Sequence, residues 1–336
     1  MGTFLILDLI MRKFSVLILG CGNIASRFDK EIKKGFKPKT HGGAFFEHPG
    51  FSIKACMDID RERKLDFMKK FNVKKGFCNL KELSTYQEEF DVISICSPTS
   101  EHFNCINTAL KLKPKIIFCE KPISENLSKS KIIVELCKKA KINLVINLSR
   151  RFDKKISLLK KQINQKTRGD LLSIVGFYNK GILNNGIHII DLFRYLLGEI
   201  KIKSVGDFFI DFKKDDPTIP LWMTNRNNIP IFIGCNKAED YSFFEMQFIF
   251  SRGVLNIENG GQVWRERKVI NSIDYEGYKE LDNGNFFAGG DSDCMINAVD
   301  NIYKNLLFNE PLICTGMDAL NAQILCEEAK IKSIKN

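Results

Sequence analysis

From Lys13 onward, short aliphatic runs alternate with longer polar segments, and this alternation is what most constrains the fold. The runs predict strands at Phe14–Leu19, Ile53–Met57, Val92–Cys96, Ile116–Cys119 and Leu144–Asn147. Segments rich in Lys and Glu lie between them, and residues 61–71 and 127–140 are predicted helices. Strands that alternate with helices form a parallel, doubly wound α/β sheet with both faces covered.

The rhythm changes after about residue 150. A strong helix is predicted at residues 187–197, and strand-like stretches follow at residues 205–212, 229–235, 242–251 and 253–256, with a turn at residues 259–261. Consecutive strands joined by turns indicate a mostly antiparallel or mixed sheet. Two predicted helices, residues 294–307 and 317–331, close the chain. The 336 residues suit two domains of ordinary size.

Composition excludes several functional classes. The net charge is +11, but the lysines are spread over helix faces, which indicates solvated surface rather than a nucleic-acid site. No apolar run reaches the ~20 residues that cross a bilayer, so a membrane partner is not expected. The eleven cysteines include no Cys-x-x-Cys pair and are interpreted as reduced thiols of a cytoplasmic protein, with no metal site.

A glycine-rich turn, residues 20–25 (GCGNIA), directly follows the first predicted strand. Gly20 allows a tight turn, Gly22 lets the backbone approach a pyrophosphate, and Ala25 permits close packing of strand and helix. The pattern therefore predicts a dinucleotide site. A glycine turn without a ligand is the alternative.

Asp58 ends the second predicted strand, where a carboxylate suits the two ribose hydroxyls of NAD and repels the 2′-phosphate of NADP. Arg61 and Arg63 keep NADP as an alternative cofactor. The alternative role for Asp58 is to cap the following helix. Residues 30–43, a basic stretch between the glycines and Asp58, are interpreted as an inserted surface loop near the cofactor.

Two further motifs follow predicted parallel strands, at the strand ends where such sheets bind ligands: Ser97-Pro98 with His102, and Glu120-Lys121-Pro122. The Lys121 ammonium could polarise a ketone or stabilise a developing alkoxide. Pro122 restricts Lys121 to extended geometry and allows a cis peptide bond. The alternative is a solvated turn.

The last motif is residues 181–191 (GILNNGIHIID), which lead into the predicted helix at 187–197. His188 titrates near neutrality and can exchange a proton with a substrate hydroxyl while hydride leaves the same carbon. Asp191, less than one helical turn further on, could orient it. A purely structural histidine is the alternative.

Together these motifs resemble the glucose-fructose oxidoreductase / inositol dehydrogenase / MocA family. The resemblance also includes Ala319-Leu320 and residues 147–152 (NLSRRF), the latter similar to members of surface-polysaccharide and nucleotide-sugar pathways. It implies an N-terminal Rossmann domain and a C-terminal α+β domain with an open, mostly antiparallel β-sheet. The exposed face of that sheet would form a homodimer or homotetramer.

Roles carry over from the family residue by residue. Lys121 matches the catalytic lysine and His188 the histidine of an Asp-x-x-x-His pattern. The cofactor-contacting positions, which also include Lys121, match Gly20, Gly22, Asn23, Ile24, Asp58, Ser97, Pro98, His102 and Glu120. Asn184 stands where the family has Asp, and an amide cannot serve as a general base.

Proton transfer is therefore assigned to His188 with Lys121 as electrostatic partner. Substrate binding is assigned to Asn184, Asn185, Asp191, Arg150 and Arg151, the arginines because guanidinium pairs bidentately with phosphate or carboxylate. A bracing role for one arginine is the alternative.

The predicted organisation is an extension at residues 1–10, a Rossmann domain at 11–123 and a substrate and oligomerisation domain at 124–336, whose last helix packs back on the first. The predicted function is hydride transfer between NAD, or alternatively NADP, and a secondary alcohol or ketone of a sugar, cyclitol or nucleotide-linked sugar. The alternatives are an NAD-dependent glycosidase of the same family and a non-catalytic dinucleotide-binding protein, the latter motivated by Asn184.

Overall fold

The computed structural model describes residues 13–29, 37–290 and 293–335. The expected extension at residues 1–10 lies outside them. The chain divides into two compact units, the first formed by the described residues of 1–152 and 292–320, the second by those of 153–291 and 321–336. In the described part, no helix is long and apolar enough to cross a membrane.

The first unit contains a fully parallel sheet. Its described strands are β1 (Phe14–Leu19), β2 (Phe51–Met57), β3 (Lys75–Phe77), β4 (Val92–Ile95), β5 (Ile116–Cys119) and β6 (Asn143–Ile146). They are ordered β3-β2-β1-β4-β5-β6. This order reverses direction between β1 and β4, and a ligand crevice forms outside the strand ends at such a reversal. The predicted Rossmann sheet is confirmed.

Helices connect these strands: α1 (His41–Glu47), α2 (Arg61–Phe71), α3 (Leu80–Ser84), α4 (His102–Lys111) and α5 (Leu127–Lys139). Every residue of β4 and β5 is buried, as expected of central strands with both faces covered. Phe45 and Phe118 are fully buried, with ring centroids 6.3 Å apart. These aliphatic and aromatic contacts hold the strand ends that carry the first set of motifs.

The first unit extends past the expected boundary at residue 123. α5 and β6 continue the parallel pattern, and β6 pairs with β5 from Ile116↔Asn143 to Cys119↔Ile146. The boundary was therefore placed too early, because the sheet still had one helix and one strand to add. The described residues 293–320 also belong to this unit.

The remaining helices are α6 (Lys154–Asn164), α7 (Ile187–Leu197), α8 (Cys294–Phe308) and α9 (Gly316–Lys335). α6 and α7 belong to the second unit and α8 to the first, whereas α9 is divided between the units after Leu320. α7 carries seven buried side chains. One of them, Phe193, packs edge-on against Phe248, with centroids 6.2 Å apart.

The second unit contains a larger mixed sheet. Its strands are β7 (Leu171–Tyr178), β8 (Ile200–Val205), β11 (Leu221–Asn225), β12 (Pro230–Cys235), β13 (Glu245–Phe250), β14 (Gly253–Glu258), β15 (Val263–Asn271), β16 (Lys279–Leu281) and β17 (Asn285–Ala288). The order is β16-β15-β14-β13-β7-β12-β11-β8, with β17 beside β15. β12 and β7 are parallel and the other pairs antiparallel. The predicted mostly antiparallel sheet is confirmed.

A short hairpin of β9 (Phe209–Lys213) and β10 (Asp216–Thr218) forms a separate two-stranded sheet. The sequence predicted one strand over residues 205–212, which is wrong. β8 ends at Val205, and Gly206 donates its N–H to the Pro220 carbonyl as the chain leaves the large sheet. The hairpin is therefore free to contact a different part of the unit.

Candidate functional site

The glycine-rich turn lies at the carboxyl end of β1. Gly20 has φ +90°, and a Cβ there would lie 2.7 Å from the backbone nitrogen of Ser97, so this position requires glycine. At Gly22, by contrast, a Cβ would have no described atom within 4 Å apart from those of Gly22 and its two chain neighbours. The turn is therefore tight at its first glycine and open at its second, which fits the phosphates of a dinucleotide.

Asp58 fastens this turn to the end of β2. Its Oδ2 accepts the Cys21 N–H at 2.7 Å and its Oδ1 accepts the Asp60 N–H at 2.8 Å. The cap of α2 is Asp60, which accepts the N–H groups of residues 62 and 63, so the capping alternative for Asp58 is wrong. A carboxylate oxygen can accept more than one hydrogen bond, so Asp58 can still receive ribose hydroxyls.

A buried network supports Glu120 at the end of β5. His41 Nε2 lies 2.8 Å from Glu120 Oε1, and His41 Nδ1 lies 2.8 Å from Ser94 Oγ. Asn147 donates its Nδ2–H to the same Glu120 oxygen at 2.6 Å. Glu120 Oε2 accepts the backbone N–H of Lys121 at 3.3 Å. The side chains of His41 and Asn147, with Ser94 acting through His41, thus fix the residue that precedes Lys121.

His41 and Glu120 form an ion pair within this network. Burial alone would lower the pKa of His41, but the adjacent Cys96 and Glu120 raise it to about 10. Burial would likewise raise the pKa of Glu120, yet its hydrogen bond to His41 and the charges of His41 and Lys121 lower it below its usual range. His41 is therefore protonated and Glu120 ionised at neutral pH. Lys121 has a fixed carboxylate as its neighbour.

Sequence reasoning missed His41. The stretch at residues 30–43 was interpreted as a surface loop, but its end is a buried helix start, where Thr40 accepts the Gly43 N–H at 3.1 Å and His41 is fully buried. Residues 30–36 lie outside the described part. The signal was available, because Thr40 before an apolar helical run is a helix-cap pattern.

His102 links the two other strand-end motifs. Its Nδ1 lies 2.9 Å from the Pro122 carbonyl and its Nε2 lies 3.1 Å from the Ser97 carbonyl. The side chain is buried, and burial lowers its pKa. His102 therefore braces the loops that carry Ser97 and Lys121. This favours a supporting role over the predicted direct contact with the cofactor.

Lys121 itself is half-buried, and its peptide bond to Pro122 is cis. Ser97 is also half-buried, whereas Pro98 and Asn23 are exposed and Ile24 is intermediate. The first unit therefore brings together most of the residues predicted to contact the cofactor, at the carboxyl edge of one sheet.

The second group of predicted residues lies in the second unit, on a one-turn helix (Ile182–Gly186) and on α7. Asn184, Asn185 and His188 are half-buried, and Asp191 is buried. Asn184 donates its Nδ2–H to the Lys180 carbonyl and Asn185 donates to the Asn179 carbonyl, each at 3.0 Å. The two asparagines therefore stabilise the turn that carries them.

Asp216, which the sequence analysis did not single out, holds this turn from the side. Its Oδ1 accepts the Leu183 N–H at 2.7 Å and its Oδ2 accepts the Asn184 N–H at 2.8 Å. Burial raises the pKa of Asp216, although these two hydrogen bonds and the Lys330 charge oppose the shift. No short-range pattern marks Asp216, since it is 32 residues from Asn184 in sequence.

The two predicted arginines differ from each other. Arg151 is buried, and its Nη1 lies 3.1 Å from Asp318 Oδ1 and 3.2 Å from the Ile313 carbonyl, all within the first unit. This favours the bracing role for Arg151 over the predicted substrate contact. Arg150 is half-buried. Among the described residues, no group of three or more His, Cys, Asp or Glu side chains is arranged to hold a metal ion.

Known proteins resemble the chain in sequence. Residues 14–148 match a family model described as an oxidoreductase family with an NAD-binding Rossmann fold. A myo-inositol 2-dehydrogenase of Thermotoga maritima is 26% identical over 302 residues, covering 82% of this chain and 87% of that protein. An uncharacterized oxidoreductase, YrbE, of Bacillus subtilis is 28% identical over 314 residues, covering 87% and 90%.

Solved structures share the fold. An oxidoreductase from Agrobacterium radiobacter, in complex with NAD+, L-tartaric acid and magnesium, superposes with a TM-score of 0.76. The match covers 96% of each chain at 15% sequence identity. Both units therefore have counterparts in one known architecture.

Proposed function

The chain belongs to the glucose-fructose oxidoreductase / inositol dehydrogenase / MocA family of oxidoreductases, and from this premise we propose that it transfers a hydride between a nicotinamide dinucleotide and a secondary alcohol or ketone of a sugar-like substrate. The observation that carries the proposal is the strand-end assembly of the first unit. There, a glycine turn open at Gly22, the carboxylate of Asp58 and the supported Glu120-Lys121 pair share one edge of the sheet.

The proposed roles follow from the chemistry of each side chain. When bound, the nicotinamide accepts or donates hydride at its C4 carbon. The Lys121 ammonium stabilises negative charge on the substrate oxygen, and His188 accepts the hydroxyl proton in oxidation and returns it in reduction. Asn184 hydrogen-bonds substrate rather than taking a proton, because it is an amide. Asn185 and Arg150 remain proposed substrate contacts.

We propose NAD as the preferred cofactor. Asp58 lies at the end of β2, where a carboxylate accepts ribose hydroxyls and repels a 2′-phosphate. Of the two arginines that would favour NADP, Arg63 has its Nε 3.2 Å from Asp60 Oδ2, and this exposed ion pair offsets part of its charge. The substrate class follows from the relative named a myo-inositol 2-dehydrogenase, so a cyclitol or monosaccharide is the first candidate. A nucleotide-linked sugar is the second.

We further propose that the chain forms a homodimer or homotetramer through the large sheet of the second unit. Trp222 and Phe232 are directly paired across β11 and β12, their rings stack at 6.0 Å, and both are nearly half exposed. The same row continues to Val175 on β7. An exposed aromatic row of this kind is typical of an interaction surface.

The cysteines support the proposed cytoplasmic location. All eleven lie in the described residues and none is in a disulfide. Nine are buried, as expected of thiols that act as small apolar side chains in a reducing compartment.

The test is to incubate the purified chain with NAD+ or NADP+ and a panel that contains myo-inositol, monosaccharides and a UDP-linked sugar. Appearance of the reduced-nicotinamide absorbance band with one panel member, faster with NAD+, is the expected result. Release of reducing sugar from glycosides without net NADH would instead indicate the glycosidase. Cofactor binding without turnover on any member would indicate a non-catalytic protein.

A further inference from the structure

The hairpin of β9 and β10 makes an unusual set of contacts with the segment that precedes His188. Asp211 Oδ2 accepts the Lys180 N–H at 2.8 Å, and Thr218 Oγ1 accepts the Gly181 N–H at 2.8 Å. With the two bonds to Asp216, side chains of the hairpin accept the backbone N–H groups of residues 180, 181, 183 and 184. All these residues belong to the second unit.

The hairpin side chains are themselves held in place. Thr218 is fully buried and donates its hydroxyl hydrogen to Asp211 Oδ1 at 2.5 Å. Asp216 is 7% exposed, so its contacts operate with little competition from water. The contact is also close, because a Cβ on Gly181 would lie 2.3 Å from Asp216 Oδ2. Gly181 has φ +79°, a conformation that glycine adopts readily.

The held segment is the one that matters for the proposed reaction. Lys180, next to Gly181, adopts φ 63°, so two consecutive residues are in left-handed conformations just before the turn that carries Asn184. Such a backbone persists only when its surroundings hold it. A carboxylate is well suited to this, since both of its oxygens can accept N–H groups at once. An amide in the same place would accept one N–H and oppose the other.

We propose that Asp216, supported by Asp211 and Thr218, is a positioning residue that sets the geometry of the substrate-binding turn at Asn184. Its proposed effect on the reaction is indirect and passes through the backbone N–H groups of residues 183 and 184, which it accepts. We call the hairpin side chains that accept the N–H groups of residues 180, 181, 183 and 184 the clamp. The catalytic consequence of this inference rests on the proposed function, whereas the clamp itself is a property of the fold. The two parts are tested by separate readouts.

The test compares Asp216→Asn with Asp215→Asn, a matched control with the same chemical change on the neighbouring exposed residue. Amide hydrogen exchange is followed in peptides that cover residues 180–187. We expect exchange in Asp216→Asn to be about tenfold faster than in the control, because one acceptor is lost and one repulsive N–H is added. Exchange equal to the control would overturn the clamp.

The second readout is turnover of myo-inositol with NAD+, with NADH affinity measured by fluorescence. We expect kcat/KM to fall about tenfold in Asp216→Asn while the Kd for NADH changes less than about twofold. Faster exchange with unchanged kcat/KM would overturn the positioning role. If the wild-type chain turns over no panel member, the proposed function fails, and the exchange measurement alone decides the clamp.

Thr218→Val is a second variant that tests the same contacts if Asp216→Asn misfolds. The substitution removes the acceptor for the Gly181 N–H and the donor to Asp211, and it leaves both bonds to Asp216 available. The same acceleration of exchange, smaller in size and centred on residue 181, is expected in a variant whose thermal midpoint stays close to the wild type. An unchanged exchange profile in a folded Thr218→Val protein would count against the clamp.

Discussion

The two motif-bearing turns are held by different means. At the end of β1 the glycine turn is held by the backbone of the neighbouring strand end and by Asp58, all near the carboxyl edge of one sheet. The turn at residues 182–186 is held by side chains of a hairpin about thirty residues further along the chain. The first arrangement follows from the parallel sheet itself. The second depends on a few particular acceptors.

The difference predicts how each turn responds to change. Backbone packed against backbone cannot move aside, so an added side chain at the first turn should be costly. A side-chain acceptor can rotate, so the second turn should tolerate the same change better while losing its precise geometry. A side chain added at the glycine turn should therefore lower the stability of the fold. One added at the turn of residues 182–186 should instead disturb the alignment of the substrate-binding side chains.

The largest effect is expected at Gly20. The change Gly20→Ala should destabilise the chain by about 4 kcal/mol or more, because the new Cβ would meet backbone atoms of Cys96 and Ser97 at 2.7 to 2.9 Å and φ is +90°. Thermal unfolding measures this. Gly22→Ala is the matched control, expected to keep the wild-type midpoint but to weaken NADH binding. Equal midpoints for the two variants would refute the contrast.

The next effect is expected at His41. His41→Asn should cost about 3 kcal/mol at neutral pH, because it leaves the nearly buried Glu120 carboxylate without the imidazolium bonded to it. The raised pKa of His41 sets the pH dependence. Its stabilising contribution is full below about pH 6.5, declines as pH rises and is lost above its folded pKa of about 10.

Thermal midpoints of both proteins at pH 6.5 and pH 10 check this. The difference in thermal midpoint between wild type and His41→Asn should be large at pH 6.5 and nearly absent at pH 10. A gap that stays constant over this range would mean that the imidazole is neutral in the folded state.

A smaller effect is expected at Gly181. Gly181→Ala should cost at least about 2 kcal/mol, since φ is +79° and the new Cβ would meet both the Asp216 carboxylate, which can rotate away, and the Asp216 backbone oxygen at 2.7 Å, which can move only with the hairpin. The rotation would release the N–H groups of residues 183 and 184. Unfolding measurements should therefore place this variant between Gly22→Ala and Gly20→Ala. A loss as large as that of Gly20→Ala would show that both turns are held alike.

The sequence allowed much of the first unit to be predicted. The strands at Phe14–Leu19 and Ile116–Cys119 and the helix at Arg61–Phe71 have the predicted bounds, because apolar periodicity and local caps determine them. The glycine turn was also predicted, since its residues are contiguous. The insertion hid α1, however, and with it His41, because a basic stretch separates the turn from the helix.

The second unit was harder to predict for a physical reason. Residues 184 and 188 stand together in one motif, but the residues that hold the motif come from β9 and β10. Nothing within a short window of sequence marks Asp216 as the acceptor for Leu183. The misplaced strand at residues 205–212 had the same cause, because pairing partners, rather than local propensity, decide where β8 ends.

Lys121 is proposed to support hydride transfer in a nicotinamide-dependent oxidoreductase. The direct measurement is the rate of NADH formation by wild type, Lys121→Met and Lys131→Met, the last an exposed lysine on α5 that serves as the matched control. We predict that Lys121→Met lowers kcat at least about a hundredfold while Lys131→Met stays within about twofold of wild type. A Lys121→Met enzyme as active as the control would contradict the proposed role of Lys121.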